Sequence, residues 1–279
     1  MNRKVVLITG TSSGFGLLSS VALLREGYYV VATMRDLGKA AALKQAVREA
    51  GLSLADMEVQ ALDVTEEAAV QTVVDDVLAR LGRIDVLINN AGYAHGGFIE
   101  EISMDEYRAQ FETNFFGAVA MTKAVLPSMR ERRSGKILMI SSISGRFGFP
   151  GMSPYTSSKY ALEGFSESLR HEMRPFGVSV VLIEPASYRT NIWAKGIERG
   201  GEIDSDSPYA PALTKMAAYA AAMNDRGSDP REVITLISRV LQDPRPVLRY
   251  PVGKGLKPLL FLLRFLPQRL VDRMVAKRM

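Results

Sequence analysis

Residues 4–27 restrict the fold more than any other stretch. Positions 4–8 form a short apolar run, Gly10, Gly14 and Gly16 follow, and Leu17, Val21 and Leu24 then recur at three- to four-residue spacing before Gly27. The first pattern reads as a buried strand and the second as a helix. A strand that passes through a glycine turn into a helix N-terminus gathers backbone amides and the positive end of the helix dipole at one point. Glycine lets a ligand approach that point closely. Such a corner cradles a phosphate group. The plainer reading is a tight strand–helix turn, and the spacing G-x-x-x-G-x-G is not the G-x-G-x-x-G of the general dinucleotide fingerprint.

The same alternation continues along the chain. Short apolar segments at 29–33, 58–62, 86–89, 136–141, 179–183 and 247–250 are separated by amphipathic stretches, the longest at about 104–132 and 154–174, the latter ended by Pro175-Phe176-Gly177. This predicts an α/β fold with a parallel sheet covered on both faces. There is no internal repeat and no linker before residue 185, so one domain spanning 1–279 is expected.

Composition excludes several chemistries. With 279 residues, 47% hydrophobic and 23% charged, the chain can bury one large core. No cysteine is present, which rules out disulfides, a thiol nucleophile and cysteine zinc sites. His95 and His171 share no ligand-like spacing and read as a surface loop or satisfied helix position, so no metal site is expected. The apolar run at 5–8 is too short for a signal peptide, and no stretch approaches about 18 apolar residues. A cytoplasmic protein is the expectation.

Tyr155 and Lys159 stand four residues apart, thirteen after Ser142. On a helix such a pair shares one face, so the ammonium is expected beside the phenol oxygen, favouring the phenolate. A Tyr-x-x-x-Lys match alone is weak. Here it accompanies Thr9-Gly10, Gly14 and Gly16, Asp63 in a Leu-Asp-Val segment, Asn89-Asn90-Ala91-Gly92, Asn114 and Ser142.

Taken together and in this order, these motifs resemble the short-chain dehydrogenase/reductase family of the compact type, over about residues 3–192. The segment 32–36 and a long C-terminal extension are similar to the 17β-hydroxysteroid and retinol dehydrogenase-like branch. The resemblance implies a Rossmann-type doubly wound sheet of about seven strands with a C-terminal helical extension. It implies an enzyme that transfers hydride between a nicotinamide cofactor and an alcohol or carbonyl.

Tyr155 would then be the acid/base and Lys159 its activator and a ligand of the nicotinamide ribose. Ser142 would hold the substrate oxygen, and Asn114 would support a water that links Lys159 to solvent. Their plainer roles are a strand-end turn hydroxyl for Ser142 and a buried helix polar group for Asn114. The resemblance implies cofactor contacts at Gly10, Ser12, Ser13, Gly14, Phe15, Gly16, Arg35, Asp63, Val64, Asn90, Ala91, Gly92, Tyr155, Lys159, Pro185 and Thr190. Ala186 departs from the family's Pro-Gly at this point, which puts the loop carrying Thr190 in question.

Met34 stands where an NAD-selecting acid is usual, and Arg35 suits a 2′-phosphate, so NADP(H) is expected over NAD(H). The alternative has Arg35 solvated and Asp36 reaching the ribose. A lid at about 187–225, with Trp193, Ile197, Tyr209, Met216 and Tyr219, suits a bulky hydrophobic steroid-, retinoid- or lipid-like alcohol or carbonyl. The resemblance also implies a homodimer or homotetramer packed through the two long helices. A regulatory or redox-sensing protein that binds NADP without turnover stands as the alternative function. An epimerase or dehydratase on the same fold is a further one.

Charge is unevenly spread. Residues 245–279 carry nine Lys and Arg against Asp272 alone, a net of +8, which leaves −3 for the other 244 residues out of a total of +5. In this extension, about 252–279, apolar positions 259–263 accompany the charge. The segment either docks on its own domain or a partner subunit, or meets an anionic membrane surface peripherally. Nucleic acid is not an expected partner, because the tail has no recognition motif.

Overall fold

The computed structural model describes residues 3–190, 192, 204–263 and 265–276. Seven strands, β1 (Val5–Thr9), β2 (Tyr29–Met34), β3 (Met57–Ala61), β4 (Val86–Asn89), β5 (Gly135–Ile140), β6 (Val178–Pro185) and β7 (Arg249–Val252), form one sheet. Their order is β3-β2-β1-β4-β5-β6-β7 and every pairing is parallel. β1 and β2 are buried throughout, as strands covered on both faces must be.

Alternation along β1 sends Val5 and Leu7 into one core and Val6 and Ile8 into the other. The first core is completed by α3 (Glu67–Leu81), α5 (Gly117–Glu131) and α6 (Ser153–Met173) through Val74, Val125 and Leu162. The second is completed by α1 (Gly14–Arg25), α2 (Ala40–Glu49) and α8 (Arg231–Gln242) through Leu23, Leu43 and Ile237. Among the described residues the further helices include α4 (Met104–Phe111), α7 (Ala210–Arg226), α9 (Leu256–Leu263) and α10 (Gln268–Ala276).

The chain runs from β1 outward to β3 and then crosses back to β4. The crevice beyond the carboxyl ends of β1 and β4 is therefore the switch point at which doubly wound sheets bind ligands. Among the described residues, no helix is long and apolar enough to cross a membrane.

Two expectations are corrected. The continuous helix expected over 104–132 is three pieces: α4, a π turn at Glu112–Phe116, and α5. The π turn inserts one extra residue at Asn114, a device concentrated at functional sites. The last strand begins two residues later than the apolar run at 247–250 suggests. Val247 is 59% exposed, and the Pro246 carbonyl accepts from Arg170 Nη2 at 2.8 Å, outside the ladder.

Candidate active site

β1 ends at Thr9, and the turn beyond it closes because Gly10 (φ 71°) and Gly14 (φ 58°) take left-handed backbone angles. Space is the second constraint. A Cβ on Gly16 would lie 2.5 Å from Asn90 Nδ2 and from the Gly10 carbonyl oxygen. Asn90 Nδ2 donates to the carbonyls of Thr9 and Gly10 at 2.8 and 3.0 Å, and Thr9 Oγ1 accepts from the backbone N–H of Asn90 and Ala91, each at 3.0 Å. Asn90 thus holds the glycine turn to β4.

Ser12, Ser13 and Phe15 line the cleft beside Gly14. The Thr190 side chain lies 3.6 Å from where a Gly14 Cβ would be. Ala186, the departure from Pro-Gly after Pro185, takes no left-handed angle, and its N–H donates to the Val252 carbonyl at 2.9 Å. Its methyl fits because residue 253 is glycine, where a Cβ would come within 2.6 Å of it.

At the end of β2, Met34 is buried and Arg35 reaches outward, its guanidinium 3.9 Å from Asp63. Asp36 Oδ1 accepts from the Gly38 N–H at 2.8 Å, capping the short turn Leu37–Lys39. Asp63 Oδ1 accepts from Thr65 N and Oγ1 at 3.1 and 2.9 Å, and Val64 packs where a Cβ on Gly117 would intrude. Lys39 lines the same end of the cleft and is absent from the sequence reading. Its signal was a second cation four residues after Arg35.

Ser142, Tyr155 and Lys159 are all buried and converge at the other end. Ser142 follows β5 and caps a single turn, its Oγ accepting from Ser144 N at 3.1 Å. Tyr155 and Lys159 lie one turn apart near the start of α6, with Lys159 Nζ 5.7 Å from the Tyr155 ring centroid. The ammonium donates to the Ile140 carbonyl at 2.8 Å.

Burial pushes the Tyr155 phenol up to about 12, and the opposing influence is a hydrogen bond with Ser142. Burial brings Lys159 down to about 8, opposed by the charge of Glu163. Here the structure departs from the sequence expectation. The ammonium faces the ring and a carbonyl, so desolvation outweighs it at the phenol.

Asn114 is fully engaged. Its Oδ1 accepts from Tyr93 N at 3.1 Å, and its Nδ2 donates to the Tyr93 carbonyl at 2.9 Å and toward Ser158 Oγ at 3.4 Å. The amide therefore fixes the segment after Gly92 against α6. His95, expected on a surface loop or at a satisfied helix position, is buried outside any helix with Nε2 3.8 Å from Glu106, while His171 is exposed on α6.

Sequence reasoning missed a buried charge cluster behind Lys159. Glu163 accepts from Ser141 Oγ at 2.6 Å and from Arg249 Nε at 2.9 Å. Glu184 accepts from Arg146 at 3.1 Å and lies 3.6 Å from Arg249, while its second oxygen is buried without a hydrogen-bond partner. An acid inside the apolar strand run at 180–185 was the available signal.

The family model described as short chain dehydrogenase matches residues 4–199. The chain belongs to the short-chain dehydrogenase family. This short-chain dehydrogenase is 43% identical to the uncharacterized oxidoreductase YusZ of Bacillus subtilis, over 100% of this chain and 99% of that one. It is 37% identical to retinol dehydrogenase 8 of Bos taurus, over 93% and 84% of the two chains. It is 34% identical to human 17-beta-hydroxysteroid dehydrogenase type 1, over 93% and 80%.

Among solved structures, a short-chain dehydrogenase from Streptomyces avermitilis matches with a TM-score of 0.81 and 35% identity, covering 99% of this chain and 98% of that one. An enzyme from Burkholderia phymatum in complex with NAD matches at 0.80 and 26%, covering 93% and 92%. Actinorhodin polyketide ketoreductase with NADPH matches at 0.77 and 28%, covering 91% and 97%. The chain is an oxidoreductase of the kind that interconverts CH–OH and carbonyl groups.

The end of the cleft that holds Tyr155 is apolar. Tyr155 clusters with Ala94, Met152, Phe149, Ile192 and Met216. The loops at 96–97 and 148–151 join there, Gly97 N donating to the Gly151 carbonyl at 2.8 Å. Tyr209, in the segment expected to form a lid, stacks on Phe98 at 4.3 Å between ring centroids. Trp193 and Ile197 lie outside the described residues. Leu256, Leu259 and Val271 of the C-terminal helices also line the cleft, whose volume is about 1060 Å³.

Proposed function

We propose that the protein is an NADP(H)-dependent oxidoreductase that interconverts a bulky apolar ketone or aldehyde and its alcohol, with Tyr155 as the acid/base. The carrying observation is the position of Ser142, Tyr155 and Lys159 in the apolar end of a cleft whose other end is the glycine turn.

The residues present fit the dinucleotide. The turn is one that a Cβ at Gly16 would fill, and it opens the N-terminus of α1, where a pyrophosphate would be held. Asn90, Ala91 and Gly92 would border the ribose, with Asp63 and Val64 beside the adenine. Arg35, aided by Lys39, would hold a 2′-phosphate. The alternative in which Asp36 selects NAD is disfavoured, because its carboxylate is spent on Gly38. Thr190 and Pro185 would flank the nicotinamide, the group that supplies or accepts hydride when bound.

The protein's own part is proton management and orientation. Ser142 orients the substrate oxygen and stabilises charge that develops there. Tyr155 gives that oxygen its proton in reduction and takes it in oxidation. The Lys159 ammonium, held by Ile140 and the negative field of Glu163, stabilises the phenolate that reduction leaves. Asn114 acts through position, holding the Tyr93 backbone where it lines the cleft. The substrate class is supported by the apolar wall and by relatives named for retinol and for 17-beta-hydroxysteroids. A homodimer or homotetramer through α4–α5 and α6 belongs to the same reading, where Phe116 and Tyr160 are exposed.

The test is NADPH oxidation across ketones and aldehydes of graded size and apolarity, with kcat/KM compared for NADPH and NADH. Rising specificity with apolar bulk and a clear preference for NADPH are expected. A tenfold preference for NADH would overturn the cofactor assignment.

A further inference from the structure

The C-terminal segment packs on its own domain with one side and leaves another side exposed. One side of α9 docks on the protein: Leu256 is buried and Leu259 faces the cleft. Pro258, Phe261 and Leu262 follow the other helical stripe, Phe265 lies in the turn beyond it, and all four are exposed, the last three at 69%, 50% and 68%. The rings of Phe261 and Phe265 meet edge to face at 5.2 Å, so they form one continuous patch. In α10, Leu270 is likewise 42% exposed, between the exposed Arg269 and Arg273. Four of the large exposed apolar side chains among the described residues thus fall within ten positions, inside the segment that carries a net +8.

We propose that this outer face of α9 and α10 docks on an anionic lipid bilayer, with the helices in the plane of the interface. The eight residues of α9 span about 12 Å, far short of the ~30 Å hydrocarbon core, so the helix lies on the membrane rather than across it. Exposed aromatic and aliphatic side chains flanked by arginine are the composition of such interfacial helices. Charge selects the occupant. Residues 254–279 carry seven Lys and Arg against Asp272, so a second copy meeting the patch about a two-fold axis would set +6 against +6, whereas acidic headgroups supply the opposite sign. The inner face of the same helix lines the cleft, so the docked protein would present the cleft mouth to the phase where apolar alcohols and ketones dissolve. That last consequence rests on the proposed function, but the docking does not.

The full-length protein should co-sediment with vesicles of phosphatidylglycerol mixed with phosphatidylcholine, bind phosphatidylcholine alone far less, and be released by high salt. The Phe261→Ser/Phe265→Ser variant keeps every charge and should lose binding by about tenfold or more. Arg269→Gln/Arg273→Gln should weaken binding to the acidic vesicles alone. Both variants should keep their circular dichroism and wild-type turnover of a small water-soluble ketone. Sedimentation velocity without lipid should give one mass for wild type and both variants. Failure of the wild type to bind acidic vesicles, or equal binding by the phenylalanine variant, would overturn the proposal. So would a change in mass in that variant, which would assign the patch to a second copy. Vesicle binding is read without turnover, so its failure leaves the proposed function standing.

Discussion

Lys159 carries two opposed demands. The proposed chemistry needs its ammonium beside the phenolate that reduction leaves on Tyr155, whereas burial disfavours that charge and brings the group down to about 8. Tyr155 keeps its proton well past that point, near 12. In the NADPH-loaded enzyme, kcat/KM for a ketone should therefore be level at neutral pH and fall as pH rises through about 8, where Lys159 loses its charge while Tyr155 is still an acid. A profile that stays flat to pH 10 would contradict this. The pairing of Tyr155 with Lys159 was legible as an i, i+4 spacing. The direction of the shift was not, because it depends on the depth of burial and on the Ile140 carbonyl, which no local spacing reports.

Among the elements, the glycine turn and β4 depend on one another through Asn90. Gly16→Ala would force a methyl to within 2.5 Å of Asn90 Nδ2 and the Gly10 carbonyl. NADPH affinity, measured by fluorescence titration, should fall about tenfold or more, as expected when a hydrogen bond that shapes the turn is lost. Unchanged affinity would remove the turn from the cofactor site.

β6, α6 and β7 are joined by the Glu163, Glu184, Arg146 and Arg249 cluster. Burial, and the charge of Glu163, raise Glu184 above the ordinary carboxylate range. Its contribution to stability is therefore full below that ordinary range and is lost as pH rises toward the folded-state value. Arg249→Ala removes the cation between the two acids. By urea unfolding it should cost about 2–3 kcal/mol at neutral pH, with partial exposure of the arginine keeping the loss at the low end, and less at pH 5. Equal losses at the two pH values would mean that the acids do not feel Arg249.

The strands were legible to within two residues because each is a short apolar run between turn residues. The π turn was not, since inserting one residue leaves the apolar pattern of 104–132 almost unchanged. The backbone reveals it, through the Gly117 N–H that donates five residues back to the Glu112 carbonyl.

At the scale of the whole molecule, the sequence exposes the charge asymmetry of the tail but not its placement. α9 is apolar on two sides, and a stripe that docks looks the same in sequence as one that does not. The structure places Leu256, Leu259 and Val271 in the cleft wall. Truncation after residue 255 should therefore lower kcat/KM for bulky apolar ketones by about tenfold relative to small ones, through lost apolar contact. An equal loss for both would mean that the tail supports the fold rather than the substrate.

The enzyme reading rests on one hydroxyl. Tyr155→Phe removes the acid/base and keeps the ring in its cluster with Met152 and Met216. Measured side by side, kcat/KM for carbonyl reduction should fall by about 10²–10⁴-fold while the Kd for NADPH is unchanged. A variant that keeps most of its activity would contradict the account.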